Sequence, residues 1–172
     1  MLDRSIAPNF HTPEFTPFLT PHISEPVPGL KLYSFNSGYQ EVFKIEAILP
    51  FGSSSIGNPI IATLCLEMLR EGSKSMSAAE INNKLDYYGA FLNFKSGIDN
   101  SFITLYGKST FLDKLIPLFA EIIFLPAFNE DALNKLKLRV LQELSINQKK
   151  TNYWSPRLLK KCVFGPSHAY SK

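Results

Sequence analysis

Histidine and cysteine are scarce in this 172-residue chain, which has three of the first (His11, His22, His168) and two of the second (Cys65, Cys162). No histidine falls between His22 and His168, so the central part of the chain offers no imidazole for metal ligation or for proton transfer near neutral pH. The two distant cysteines form no zinc pair, and nothing in their spacing supports a disulfide. His11 and His22 are close in sequence but make no metal motif on their own. Long apolar runs are missing too: none reaches the roughly 20 residues needed to span a bilayer. Met1-Leu2-Asp3-Arg4 opens no basic-then-apolar leader, so a soluble compartment, cytoplasmic or otherwise reducing, is expected. Charge is also sparse, at 19% with a net +3. The basic doublets Lys149-Lys150 and Lys160-Lys161 read as solvated helix faces, and no nucleic-acid partner is expected.

What the chain has is apolar and aromatic content: 45% hydrophobic residues, with 14 Phe and 7 Tyr. That supports one domain with a proper core, rich in aromatics. Residues 1–28 stand apart as a proline-rich extended arm. Pro8, Pro13, Pro17, Pro21, Pro26 and Pro28 are half of the chain's 12 prolines, and each biases its neighbour towards extended backbone. Phe10, Phe15, Phe18 and Ile23 interleave with them, the pattern of an arm packed on a surface rather than a free tail.

From residue 29 onward the pattern is regular, and 29–172 is expected to form the domain. Residues 30–35 and 42–49 alternate and read as two strands joined by Asn36-Ser37-Gly38 in a hairpin. Asn58-Pro59 is a helix start, with Ile60, Ile61, Leu64, Cys65, Met68 and Leu69 at helical spacing and Gly72 as the stop. Packing of this helix is expected around Leu64, Cys65 and Met68. Ser77-Ala78-Ala79-Glu80 is a capping box opening a second helix. Residues 90–97 and 101–107 are strands joined by a tight turn. Residues 112–124 are apolar at helical spacing, with Pro117 predicting a kink or a late start. Asn129 caps a long helix whose buried stripe is Leu133, Leu136, Val140, Leu141 and Leu144, with Glu130 and Asp131 favourable in its first turn. A shorter helix over about 156–164 closes the chain, and Tyr153 and Trp154 read as packing at its start. The order ββααββααα is not the alternation of a parallel sheet, so the fold class is α+β, an antiparallel sheet with helices packed on it.

Several local sequences recur in that order in one known family. Met68-Leu69-Arg70-Glu71-Gly72-Ser73 resembles the Met-Leu-x-x-Gly-Thr that follows the zinc motif of M16 (insulinase or pitrilysin-like) peptidases. Ser77-Ala78-Ala79-Glu80-Ile81 resembles their Ser-Ala-x-Glu-Ile helix start. Tyr88-Gly89-Ala90-Phe91-Leu92-Asn93 is similar to their Gly-Gly-x-Leu-Asn strand entry. Pro126-Ala127-Phe128 is similar to their Pro-x-Phe turn. Phe164-Gly165-Pro166-Ser167-His168-Ala169-Tyr170 resembles their Phe-Gly-x-x-His-Pro-Tyr segment, with Ala169 in place of proline. The chain is thereby identified as an M16-type first half-domain over residues 29–172.

The resemblance also locates what is missing. The family's inverted His-x-x-Glu-His motif falls on Thr63, Leu64, Cys65, Leu66 and Glu67. Thr63 and Glu67 replace the two histidine ligands, and Leu66 replaces the glutamate that acts as general base. Glu143 lies where the third zinc ligand is expected, and Leu136 replaces a glutamate that often precedes it. Two carboxylates without imidazole suit a weakly held hard cation at most, and the plainer reading is a pair of ordinary helix carboxylates. No metal site and no cofactor are expected in this chain. His168 matches a family histidine that binds no zinc, which implies a local hydrogen-bonding role.

Active M16 enzymes add a peptide substrate to a sheet edge, and the matching stretch is Leu92, Asn93, Phe94, Lys95 and Ser96. Phe94 stands where the family has a small residue. The resemblance implies a non-catalytic subunit, part of a longer two-domain protein. It would pair with a motif-bearing, zinc-carrying M16 subunit in a peptide-degrading or processing chamber, as in a bacterial two-subunit protease. A structural or peptide-binding core subunit, and a zinc metalloprotease active alone, are the other readings.

Overall fold

The computed structural model describes residue 10, residues 17–55 and residues 58–171. Pro8, His11, Pro13 and Phe15 of the arm lie outside them. Between Gln40 and Glu41 the chain divides into two units.

The first unit holds an antiparallel hairpin of β1 (His22–Val27) and β2 (Leu30–Ser34). Its tight turn is Pro28-Gly29, with Gly29 at φ +83°, the pairing of a fixed-φ residue with one free to adopt positive φ that a type II turn requires. The Gly29 N–H donates to Glu25 Oε1 at 2.6 Å. Pro26 falls where the strand register shifts, between Ser24 and Val27, so its missing N–H is not needed by the ladder. Two expectations are corrected here. Residues 22–27 form a strand rather than a simple extended arm, and β2 pairs with β1 rather than with the strand after it. The proline-rich composition concealed β1, because its one internal proline sits in an irregularity that composition does not reveal.

The second unit is built on a three-stranded antiparallel sheet, order β3-β5-β4, from β3 (Val42–Leu49), β4 (Phe91–Ser96) and β5 (Ser101–Lys108). Alternation sets its faces. Phe43, Ile45 and Ala47 of β3 and Leu92 and Phe94 of β4 pack against the core, with the central strand's Ile103 and Leu105 fully buried among them. On the other face Glu46 accepts from Thr104 Oγ1 at 3.0 Å and pairs with Lys44 at 3.1 Å. The bond and charge of Lys44, with the Thr104 hydroxyl, hold the Glu46 carboxyl below its usual range.

Helices α1 (Pro59–Met68), α2 (Ala78–Tyr87) and α3 (Leu112–Phe124) supply the rest of that core through Leu66, Ile81, Leu85, Leu115, Phe119 and Ile122. Their starts are those expected. The Asn58 side chain accepts from Ile60 N–H at 3.2 Å, with Pro59 in the first turn. Ser77 and Glu80 close a full capping box. Pro117 lies inside α3, which is entered through a 3-10 turn at Ser109–Phe111. Helix α4 (Glu130–Asn147) is capped by Asn129, whose side chain accepts from Ala132 N–H at 3.1 Å. Its stripe is shallower than predicted: Leu136 is buried, Leu133, Val140 and Leu144 are half-buried, and Leu141 is 61% exposed. Helix α5 spans Thr151–Phe164, about a turn and a half longer than the sequence suggested, with Pro156 inside it. Trp154 Nε1 donates to the Gln148 carbonyl at 2.7 Å, so the aromatic pair does pack the helix start.

The Gly72-Ser73 tail has a clear structural job. Gly72 at φ +126° lets the chain leave α1, and a Cβ there would lie 2.9 Å from the Met76 carbonyl. The strap it opens then bonds to the segment after α3: Lys74 N–H to Leu125 carbonyl at 2.8 Å, and Ala127 N–H to Gly72 carbonyl at 3.1 Å. Two of the quoted sequence matches are therefore in direct contact. Glu121 of α3 secures the same strap by accepting from Ser73 Oγ at 2.6 Å and from Ser75 Oγ. Those hydroxyls hold its carboxyl below the usual range.

Candidate functional site: a degenerate motif helix and an open sheet edge

Helix α1 places the five motif positions in three different environments. Thr63 is exposed, Leu66 is 2% exposed inside the core, and Glu67 is half-buried. The helix packs through Ala62, Leu66 and Met68, and the 3-10 turn after it through Leu69, all buried, while Leu64 and Cys65 are only half-buried. This corrects the expected packing set. The residue at the general-base position is itself part of the core.

Helix α4 lies against α1, as a third-ligand helix should. What it brings to Glu67 is a cation: Arg139 Nη2 is 3.4 Å from Glu67 Oε2. Arg139 precedes Glu143 by one helical turn, so the two share a face of α4. Glu143 is exposed and takes part in none of the ion pairs among the described residues. No group of three or more His, Cys, Asp or Glu among those residues could hold a metal. A zinc ion does not fit this donor set. Threonine is a poor ligand, leucine is none, and the one carboxylate of the motif already faces a guanidinium. Sequence reasoning missed Arg139; its position four residues before the expected third ligand was the available signal.

The other predicted site residues lie on β4, an edge strand of its sheet. The Gly97 N–H donates to the Asn100 carbonyl at 2.9 Å, which fixes the phase of the β4–β5 ladder. The N–H and C=O groups of Phe91, Asn93 and Lys95 point towards β5, and those of Leu92, Phe94 and Ser96 point away from it. Among the described residues no other backbone group pairs with these three. The end of the strand is finished by the 52–55 loop, where Ser53 and Ser54 N–H groups bond the Gly97 and Ile98 carbonyls at 3.0 and 2.9 Å.

Side chains on this strand alternate. Phe91, Asn93 and Lys95 are exposed on one face; Leu92, Phe94 and Ser96 are half-buried on the other. Ser96 and its cross-strand partner Ser101 carry buried hydroxyls without a hydrogen-bond partner. The ring of Phe94 does not stand open, because the Arg70 guanidinium rests 5.0 Å from its centroid. Arg70 sits in the 3-10 turn that follows α1, and nothing in the residue pattern marked it in advance.

His168 is local in its bonding: its Nδ1 accepts from Tyr170 N–H at 3.1 Å, and its ring stacks on Phe164. Tyr170 reaches further. Its hydroxyl donates to Asp99, in the turn after β4, which raises the phenol above its ordinary value. Asp99 also accepts from Ser54 Oγ at 2.9 Å.

The geometry has close counterparts among solved structures. The peptidase M16 inactive domain from Pseudomonas fluorescens superposes with a TM-score of 0.82 over 89% of this chain and 38% of its own, at 24% identity. A protease from Helicobacter pylori matches with a TM-score of 0.64 over 73% of this chain and 31% of its own, at 19% identity. Among curated proteins, the non-peptidase homolog YmxG of Helicobacter pylori (strain ATCC 700392 / 26695) is 28% identical over 114 residues, 66% of this chain. The chain spans about a quarter of that relative, 26% of its length. No family profile matches the chain. The chain is M16-like: it has the α+β fold of an M16 half-domain without that family's zinc motif. No described helix is long and apolar enough to cross a membrane.

Proposed function

We propose that this chain is a non-catalytic M16-like subunit that pairs with a motif-bearing M16 protease and offers the β4 edge to extended peptides. The Glu67–Arg139 contact supports the first half of this reading, because it puts a positive charge beside the one motif carboxylate a metal could use. With threonine and leucine at two motif positions and the third facing a guanidinium, that helix offers neither a zinc ligand set nor a general base. Zinc and general base then belong to the partner. The names of its relatives, an inactive domain and a non-peptidase homolog, support the same reading.

The β4 edge carries the second half. Unpaired N–H and C=O groups along an edge accept an added strand regardless of its side chains, so this capacity survives loss of the metal. Leu92, Phe94 and Ser96 supply the backbone bonds, and Asn93 and Lys95 line the outer face.

Co-expression with a His-x-x-Glu-His M16 subunit is the test. The expected result is a stable complex with peptidase activity that neither protein has alone. A partner that neither binds nor gains activity would leave the structural reading in its place. The edge is tested separately by Ser96→Pro, which removes an outward N–H but none of the bonds to β5. Peptide capture is expected to weaken while the fold, followed by circular dichroism, is retained.

A further inference from the structure

We infer that Arg70 makes the β4 edge selective for peptides carrying an acidic side chain at the position in line with Phe94. This rests on the edge reading above and adds a substrate class to it. An antiparallel strand docked on the outward groups of Phe94 places one residue as its hydrogen-bonded partner, about 5.5 Å away between Cα atoms. The side chain of that residue projects to the same face as Phe94. That is the face on which the Arg70 guanidinium lies, 5.0 Å from the Phe94 ring centroid.

Arg70 is exposed, and the ion pairs among the described residues use Lys44, Lys114 and Arg139 instead. The nearest acids along its own segment do not claim it: Glu67 faces Arg139, and Glu71 is in none of those pairs. A guanidinium resting on an aromatic ring keeps its edge N–H groups available, and these match a carboxylate in a two-pronged contact. Aspartate or glutamate opposite Phe94 completes that contact. Lysine or arginine at the same position meets a like charge. The adjacent peptide residues point to the other face, beside Asn93 and Lys95, and are not read by Arg70.

The test uses the full chain and fluorescently labelled, strand-forming nine-residue peptides in which one glutamate is walked along the sequence. Each is compared with its glutamine and lysine counterparts. The expected result is one position at which glutamate binds about ten-fold tighter than lysine, with the difference shrinking as salt rises. Arg70→Gln should abolish that preference and Arg70→Glu should reverse it, thermal unfolding confirming that both variants fold. If peptides bind, and binding falls in Ser96→Pro, but glutamate and lysine are equivalent or the preference survives in Arg70→Gln, Arg70 selects nothing and the edge reading stands. If no peptide binds, or binding ignores Ser96→Pro, the edge reading itself fails and the selectivity with it.

Discussion

At the scale of single residues, the motif helix carries packing where chemistry would need polarity. Leu66 is the sharpest case. At 2% exposure it belongs to the core shared with α2, α3 and β5, so Leu66→Glu, which restores the motif's base, should cost about 3 kcal/mol or more. Urea unfolding measures this, and a loss under 1 kcal/mol would mean the helix still tolerates a base. The Glu67–Arg139 pair is a different kind of contact, half exposed on the arginine side at 54%. Arg139→Ala should therefore cost less than about 1 kcal/mol. Its value lies in occupying the carboxylate rather than in stability. The alignment that puts Thr63, Leu66 and Glu67 at the motif positions was legible from the sequence, because the Met68-Leu69-x-x-Gly72-Ser73 tail sets it. The contacts of Arg139 and Arg70 were not, since each forms only when α1 is laid against α4 and β4.

At the scale of elements, the strap from Gly72 to Ser77 holds the ends of α1 and α3 together. Gly72→Ala should lose about 1–3 kcal/mol, because φ +126° and the Met76 carbonyl both exclude a Cβ. The thermal midpoint reads this directly. Glu121 gives the strap a pH dependence whose sign follows from its bonds. The Ser73 and Ser75 hydroxyls favour the charged carboxylate, so its folded pKa lies below the ordinary value of about 4.3. The stabilisation is present above that value and is lost as pH falls through the folded one. The stability gap between wild type and Glu121→Gln should be wide at pH 7 and narrow at pH 3. An equal gap at both would show that the hydroxyls do not discriminate the charged form. Helix starts at Asn58, Ser77 and Asn129 were readable because caps are local chemistry. The β4–β5 pairing was readable too, from its tight turn, but the other strand partners were not: β3 lies beside β5, far along the chain, and the β1–β2 hairpin was hidden by the prolines of its segment. The same limit applies to Leu141, apolar at helical spacing on α4 yet exposed, since periodicity gives the stripe but not the depth of its burial.

At the scale of the whole molecule, the sheet order β3-β5-β4 leaves β4 at an edge while α4 packs against α1, the helix that carries the motif positions. The chain matches 38% and 31% of its structural counterparts, so the proposed assembly is tested by partner capture rather than by its own fold. The most direct test of the central claim is metal content combined with cleavage by the purified protein alone. Elemental analysis should find well below one zinc per chain, and a quenched peptide library should show no chelator-sensitive hydrolysis. One zinc per chain with cleavage abolished by a chelator and restored by zinc would contradict the account.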